Sequence, residues 1–470
     1  MSSRTKTLWT FAITSIALVM VTLDNLVVTT ALPVIRRDLH ATLSQLEWTV
    51  NAYTLTFAVL LLTGAALGDR FGRRRVFAAG LALFTLASAA AALAPSIVAL
   101  DAARAAQGVG GAIVTPLTLT ILSAAVRPER RGLALGAWGG IGGLAVALGP
   151  LVGGAIVEGI SWQWIFWINV PIGLILAPLA LFRLEESYGP DKRIDLPGLG
   201  LASAGLFGIV WGLVRANSVG WSSLEIVGSI AAGAIVLALF VLWELRAPGP
   251  MLPMRFFRNR TFTLTNVASL FMFFGMFGAI FLLAQFFQTV QGYSPLSAGL
   301  RILPWTAMPI FIAPIAGALS DRIGGYRLMA VGLALQAIGI GWIAVVSTPT
   351  VPYGDLVAPF VLSGVGMALF FAPVANVVLS AVRREEEGKA SGTNNAIREL
   401  GGVFGVAVLA SIFSRYGGYA TPQTFVDGME PAVLVGAALV GVGALASLAI
   451  PHHRARKAEV EAAPELRAAA

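Results

Sequence analysis

The sequence predicts an all-α membrane protein: two six-helix bundles with two inserted helices between them, fourteen spans in all. Three observations carry this. Of 470 residues, 57% are hydrophobic and only 12% charged, against about 25% charged in an ordinary soluble domain. Apolar runs of helix-spanning length recur at 9–32, 46–68, 75–95, 97–123, 132–157, 164–183, 196–215, 225–245, 262–288, 297–319, 327–347, 356–381, 388–414 and 431–450. With the N-terminus placed in the cytoplasm, 25 of the 32 Lys and Arg residues fall in cytoplasmic segments, and only Arg36, Arg37 and Arg415 fall in the opposite loops. That asymmetry sets the orientation, brings both termini to the cytoplasmic side of a plasma membrane and requires an even number of spans.

The same facts exclude other classes. The net charge of +8 is accounted for by membrane orientation, so no nucleic-acid partner is expected. There is no cysteine, and His40, His452 and His453 are the only histidines. No metal site and no cofactor are therefore expected. No Gly-x-Ser-x-Gly or phosphate-binding loop is present, which argues against an enzyme and against an ATP-driven pump. Arg4 and Lys6 precede an apolar run without a small-residue cleavage site, so the first span is read as uncleaved.

The bundles come from an internal repeat. Leu67-Gly68-Asp69-Arg70-Phe71-Gly72-Arg73-Arg74 follows the second span, and Leu319-Ser320-Asp321-Arg322-Ile323-Gly324-Gly325-Tyr326-Arg327 follows the tenth, with the aspartates 252 residues apart. Val126-Arg127 with Gly132 and Gly136 matches Val382-Arg383 with Gly388 and Gly392 at an offset of 256. Such a stable offset marks a duplicated unit of the kind found in secondary transporters. The chain divides into a bundle at 1–186, an inserted pair with its linkers at 187–260, a second bundle at 261–450 and a tail at 451–470.

In the first span Asp24 lies far from either end, and a carboxylate at that depth costs at least a few kcal/mol. Acids so placed line ion or substrate paths, or else only tie helices together. The second span brings Asn51 and Tyr53. The loop after it combines a turn glycine, Gly72, with Asp69 and the cations Arg70 and Arg73. This is a latch between bundles or a plain cationic loop. In the fourth span Arg104 and Gln107 share a face with Asp101. Counted from Pro33 and Ser96, Asp24 and Arg104 both sit roughly 12–14 Å deep at 1.5 Å per residue, so the two can meet. Alternatively Arg104 snorkels outward or pairs with Asp101 alone. Glycines crowd the fifth span, notably Gly149-Pro150-Leu151-Val152-Gly153-Gly154, where backbones can approach closely. Trp162 to Pro171 opens the sixth span with an interfacial aromatic string.

These motifs together resemble the major facilitator superfamily, and within it the fourteen-helix drug/proton antiporters. The Asp69 loop is similar to the family's loop signature, although Ala65 stands where its leading glycine is usual. The Arg104 and Gln107-Gly108 pattern resembles the fourth-helix motif to which proton coupling is attributed. The Gly149-Pro150 and Gly153-Gly154 block resembles the exporters' antiporter motif. The resemblance implies a monomeric exporter of hydrophobic, cationic or zwitterionic drugs in exchange for protons. A proton-symporting uptake carrier on the same fold is the alternative.

The repeat also sets Arg398 and Glu399 opposite Gly142 and Gly143, mid-span rather than at a helix start. Glu399 then lies about 18 Å along its helix, a second acid for proton coupling beside Asp24 and Arg104. If the repeat does not hold there, it is an interfacial acid at a helix N-terminus. Substrate contacts are expected from Asn51, Tyr53, Gln107, Asn394 and Arg398. Phe271, Met272, Phe274 and Phe281 of the ninth span, with Gln285 as a polar handle, line the cavity or else face lipid.

Overall fold

A computed structural model describes residues 3–126, 128–188, 195–383 and 386–451. All its regular elements are helical. The first group comprises α1 (Ser3–Asp38), α2 (Leu43–Phe71), α3 (Arg73–Ala92), α4 (Ile97–Ala125), α5 (Pro128–Gly159), the short α6 (Trp164–Trp167) and α7 (Asn169–Arg183). A pair follows, α8 (Leu196–Val219) and α9 (Leu224–Glu244). The last group is α10 (Arg260–Gln285), α11 (Pro295–Thr306), α12 (Met308–Ile323), α13 (Gly325–Val346), α14 (Tyr353–Ser380), α15 (Glu387–Tyr416) and α16 (Pro422–Leu448). Apart from Pro451, the expected tail lies outside the described residues.

Among the described residues eleven helices are long and apolar enough to cross a membrane, and twelve if α2, bent by 50° near Leu61, is one span. The two remaining expected spans fall on α5, whose described apolar part is Leu148–Gly159, and on α11 with α12. This tenth span is interrupted at Ala307. Pro304 and Pro309 flank the break, and each withholds a backbone donor from the ladder. The sixth span breaks at Ile168 for the same reason, since Pro171 cannot bond back to Trp167.

Local sequence sets the helix ends. Thr42 with Gln45 forms a capping box before α2, and Ser96 and Ser294 cap α4 and α11. Gly72 and Gly324, equivalent positions in the repeat, both turn the chain at positive φ, 102° and 92°. A side chain would strain that conformation, so the duplication is visible in the backbone.

Helices α1 to α7 pack as one unit, with α1 against α5, α2 against α4 and α3 against α4 and α7. Helices α10 to α16 pack as another, with α10 against α15 and α16, and α13 against α14 and α16. The inserted α8 and α9 lie against each other, and α8 touches both α2 and α15. There Trp48 meets Phe207 and Trp211, with ring centroids 5.7 and 6.0 Å apart. One apolar cluster joins the half of the first unit remote from the N-terminus to the second unit, linking Leu26, Val50 and Val157 to Phe274 and Phe281. A separate cluster fills the N-terminal half of the first unit, from Ile13 and Phe57 to Phe84 and Leu176.

Candidate functional site

Asp24 is carried midway along α1, and α4 sets Arg104 beside it. Arg104 Nη1 donates to Asp24 Oδ2 at 2.5 Å, and both side chains are wholly buried. Gln107, one turn along α4, accepts from the same nitrogen at 2.9 Å and donates to Asp24 Oδ1 at 3.1 Å and Ser88 Oγ at 2.8 Å. Asn169, at the start of α7, donates to Asp24 Oδ1 at 2.7 Å. Arg104 Nε is held by the Thr49 carbonyl of α2 at 3.2 Å, and its guanidinium lies 4.3 Å from the Tyr53 ring centre and 5.7 Å from that of Phe166. Two helices, α4 and α7, thus supply one cation and two amide donors to a single carboxylate on α1. Only such dense compensation offsets the desolvation of a buried ion pair.

Glu399 lies twelve residues into α15, in a different setting. Its Oε2 is buried with no hydrogen-bond partner, as is Arg398 Nε. Arg398 Nη1 donates to Asn395 Oδ1 at 3.2 Å, and its guanidinium sits 4.4 and 4.9 Å from the Phe273 and Phe371 ring centres. The Tyr53 hydroxyl donates to the Val21 carbonyl of α1 at 3.3 Å, while its ring carries the Arg104 guanidinium. Asn51, wholly buried two residues from Tyr53, has a free amide nitrogen and a free amide oxygen. Among the described residues the side-chain atoms left open here include both amide atoms of Asn51 and Arg104 Nη2 in the first unit, and Glu399 Oε2 and Arg398 Nε in the second.

Other expected contacts are engaged elsewhere. Asn394 donates to Asn266 and Ser269 of α10, at 3.0 and 2.9 Å. Gln107 is spent on the Asp24 network. Gln285 is at the far end of α10, donating to the Phe281 carbonyl at 2.9 Å and accepting from the Tyr419 hydroxyl. Of the ninth-span side chains, Met272, Phe274 and Phe281 are buried and Phe271 is half-buried, but Phe273 is the one that meets Arg398. Asp101 accepts from Thr49 Oγ1 at 2.8 Å.

The loop motif is tied down locally. Arg73 reaches back across Gly72 to Asp69 at 2.8 Å, and Arg70 lies over the Phe71 ring. Glu186, after α7, accepts from the Arg74 backbone at 2.9 Å. The side chains of Asp321 and Arg322 lie outside the described residues. The α5 glycines sit where three helices meet. Gly149 and Gly153 face Leu26 and Val27 of α1, and a Cβ on Gly154 would come within 2.3 Å of the Pro295 carbonyl. From the other side, Gly299 approaches the Pro150 carbonyl equally closely. Only glycine permits that contact between the units.

Asn169, Ser88, Thr49 and Phe273 belong to the site although no motif singled them out. The one sequence signal for Asn169 was an amide inside an apolar run, beside a tryptophan string that reads as interfacial.

A model of the Major Facilitator Superfamily matches residues 14–406. The tetracenomycin C resistance and export protein of Streptomyces glaucescens is 34% identical over 421 residues, covering 89% of this chain and 78% of that protein. The multidrug resistance protein Stp of Mycobacterium tuberculosis is 35% identical over 411 residues, covering 87% and 76%. The cephamycin export protein CmcT of Amycolatopsis lactamdurans is 36% identical over 402 residues, covering 84% and 82%. A crystal structure of a mutant peptide transporter POT with sulfate shares the fold, with a TM-score of 0.69 at 17% identity over 94% of both chains.

Proposed function

The chain belongs to the major facilitator superfamily, and from its site we propose that it exports hydrophobic, cationic or zwitterionic drugs or antibiotics in exchange for protons. The Asp24 network carries the proton half of this reading. Asp24 holds its negative charge only while Arg104, Gln107 and Asn169 surround it. Moving α4 or α7 away leaves a carboxyl that must take up a proton. Export is supported by the tetracenomycin C and cephamycin export proteins among the relatives and by the glycine block at the α1, α5 and α11 junction. A positive or zwitterionic drug is supported by Glu399, whose buried open oxygen belongs to the residue next to Arg398 and its two phenylalanine rings. The face at which α1 begins would be cytoplasmic, and a single chain would act alone, its two units rocking about the midplane.

The test is exchange in proteoliposomes with the face opposite the N-terminus turned to an acidic lumen. The gradient is expected to drive a cationic dye into the lumen, and a protonophore or Asp24→Asn to return uptake to background. Dye movement in the same direction as protons would replace export with symport. Full coupled uptake by Asp24→Asn would remove that acid from the mechanism.

A further inference from the structure

The face opposite the N-terminus is shut by contacts between the two units. Arg36, near the end of α1, lays its guanidinium 3.4 Å from the centre of the Tyr419 ring in the loop before α16. Gln288 Nε2 donates to the Thr30 carbonyl at 2.8 Å, and Leu296 N donates to Glu158 at 3.1 Å. Behind this closure lies Glu47, in the second turn of α2. It is 3% exposed, its Oε2 has no hydrogen-bond partner, and its charge acts on the Tyr419 hydroxyl.

Among the described residues none of the charged groups on the elements packed around Glu47 pairs with it; on α1, Arg37 donates to the Pro33 carbonyl and Asp38 accepts from the Trp162 indole. Arg36 of α1 is on the Tyr419 ring, and Asp101 of α4 accepts from Thr49. Arg215 of α8 pairs with Glu225 at 2.8 Å. On α15, Arg415 lies against Tyr416, and Arg398 and Glu399 stand about five turns from its outer end. Glu47 has no ion pair among the described residues, and an unpaired buried carboxylate is too costly to keep. The closed face therefore suits the neutral acid. Opening that face would part Arg36 from Tyr419, admit water to Glu47 and leave Arg36 as its nearest counter-ion.

We propose that Glu47 is a gate-linked proton site, which binds a proton as this face closes and releases it as the face opens. It rests on the exchange reading above and adds a second acid to it. Acid on this side then favours closure, the step that must follow proton uptake by Asp24. The same stretch of α2 joins the two, because the Thr49 carbonyl, two residues on, holds Arg104.

The chain has no cysteine, so Leu93→Cys with Gln423→Cys allows spin labels to report the distance across this face in vesicles. One proton released per opening makes the open-to-closed ratio rise with pH, approaching about tenfold per pH unit. Glu47→Gln should hold the face closed and flatten that response, whereas Asp24→Asn should leave Glu47's share of it in place. Glu47→Asp keeps an ionisable group and should keep the slope at a shifted midpoint, which decides the matter if the Gln variant does not fold. An unchanged slope in Glu47→Gln, a flat response in Glu47→Asp, or no response in the parent would overturn the proposal. Failure of a pH gradient to drive dye exchange would instead sink the exchange reading and leave the distance measurement standing.

Discussion

Asp24 and Glu399 are both acids in mid-helix, the first wholly buried and the second half-buried with a buried oxygen, and their surroundings are opposites. Asp24 accepts from three side chains on two other helices and touches a guanidinium. Glu399 has an open oxygen, and its neighbour Arg398 turns instead to Asn395 and two phenylalanine rings. The first arrangement is closed on itself and holds one bundle together while the charge stays. The second is unfinished, and something from outside the chain can complete it. One fold thus separates an acid whose oxygens are both engaged from one with an oxygen left open. The difference arises from what each helix faces, because both side chains end in the same carboxyl group.

The contrast can be broken most forcefully at Arg104. Arg104→Met leaves Asp24 buried without its cation, and about 3–5 kcal/mol of stability should be lost, read as a fall in the melting midpoint of purified protein. Adding Asp24→Asn should restore much of it. A double variant no more stable than Arg104→Met would show that the pair does not carry the network. A smaller effect is expected at Asn169. Asn169→Leu removes one donor from a carboxylate still paired with Arg104, costing about 1–3 kcal/mol in the same melt. It should also shift the pH profile of exchange, which packing loss alone would not do.

The smallest stability effect belongs to Glu399. Glu399→Gln breaks no hydrogen bond to its free oxygen, so the melting midpoint should stay within about 0.5 kcal/mol of the parent. Exchange of cationic dyes should nevertheless fall sharply, while neutral apolar substrates are spared. A large stability loss in Glu399→Gln, or equal loss of both substrate types, would erase the distinction between the two acids.

Much of this was legible in the sequence, for a definable reason. Run length, loop charge and repeat offset are one-dimensional quantities, and they specify a duplicated helical membrane protein without reference to packing. Depth is nearly one-dimensional as well. Counting residues from Pro33 and from Ser96 placed Asp24 and Arg104 at one level, and the structure has them in contact. Counting through the repeat likewise placed Glu399 well inside α15.

Rotation about each helix axis is another matter, and only the tertiary structure decided it. Gln285 and Asn394 have plausible polarity and depth, yet one turns to Tyr419 and the other to Asn266 and Ser269. Asn169 and the Thr49 carbonyl reach the centre because α7 and α2 happen to present those faces to α1 and α4. A glycine-rich run announces close packing, but Pro295 as the partner of Gly154 is a property of two units meeting. In a membrane almost every side chain is apolar, so hydrophobic periodicity says little about which face turns inward. That choice is made by the few polar groups that must find one another, and their pairing is settled in three dimensions.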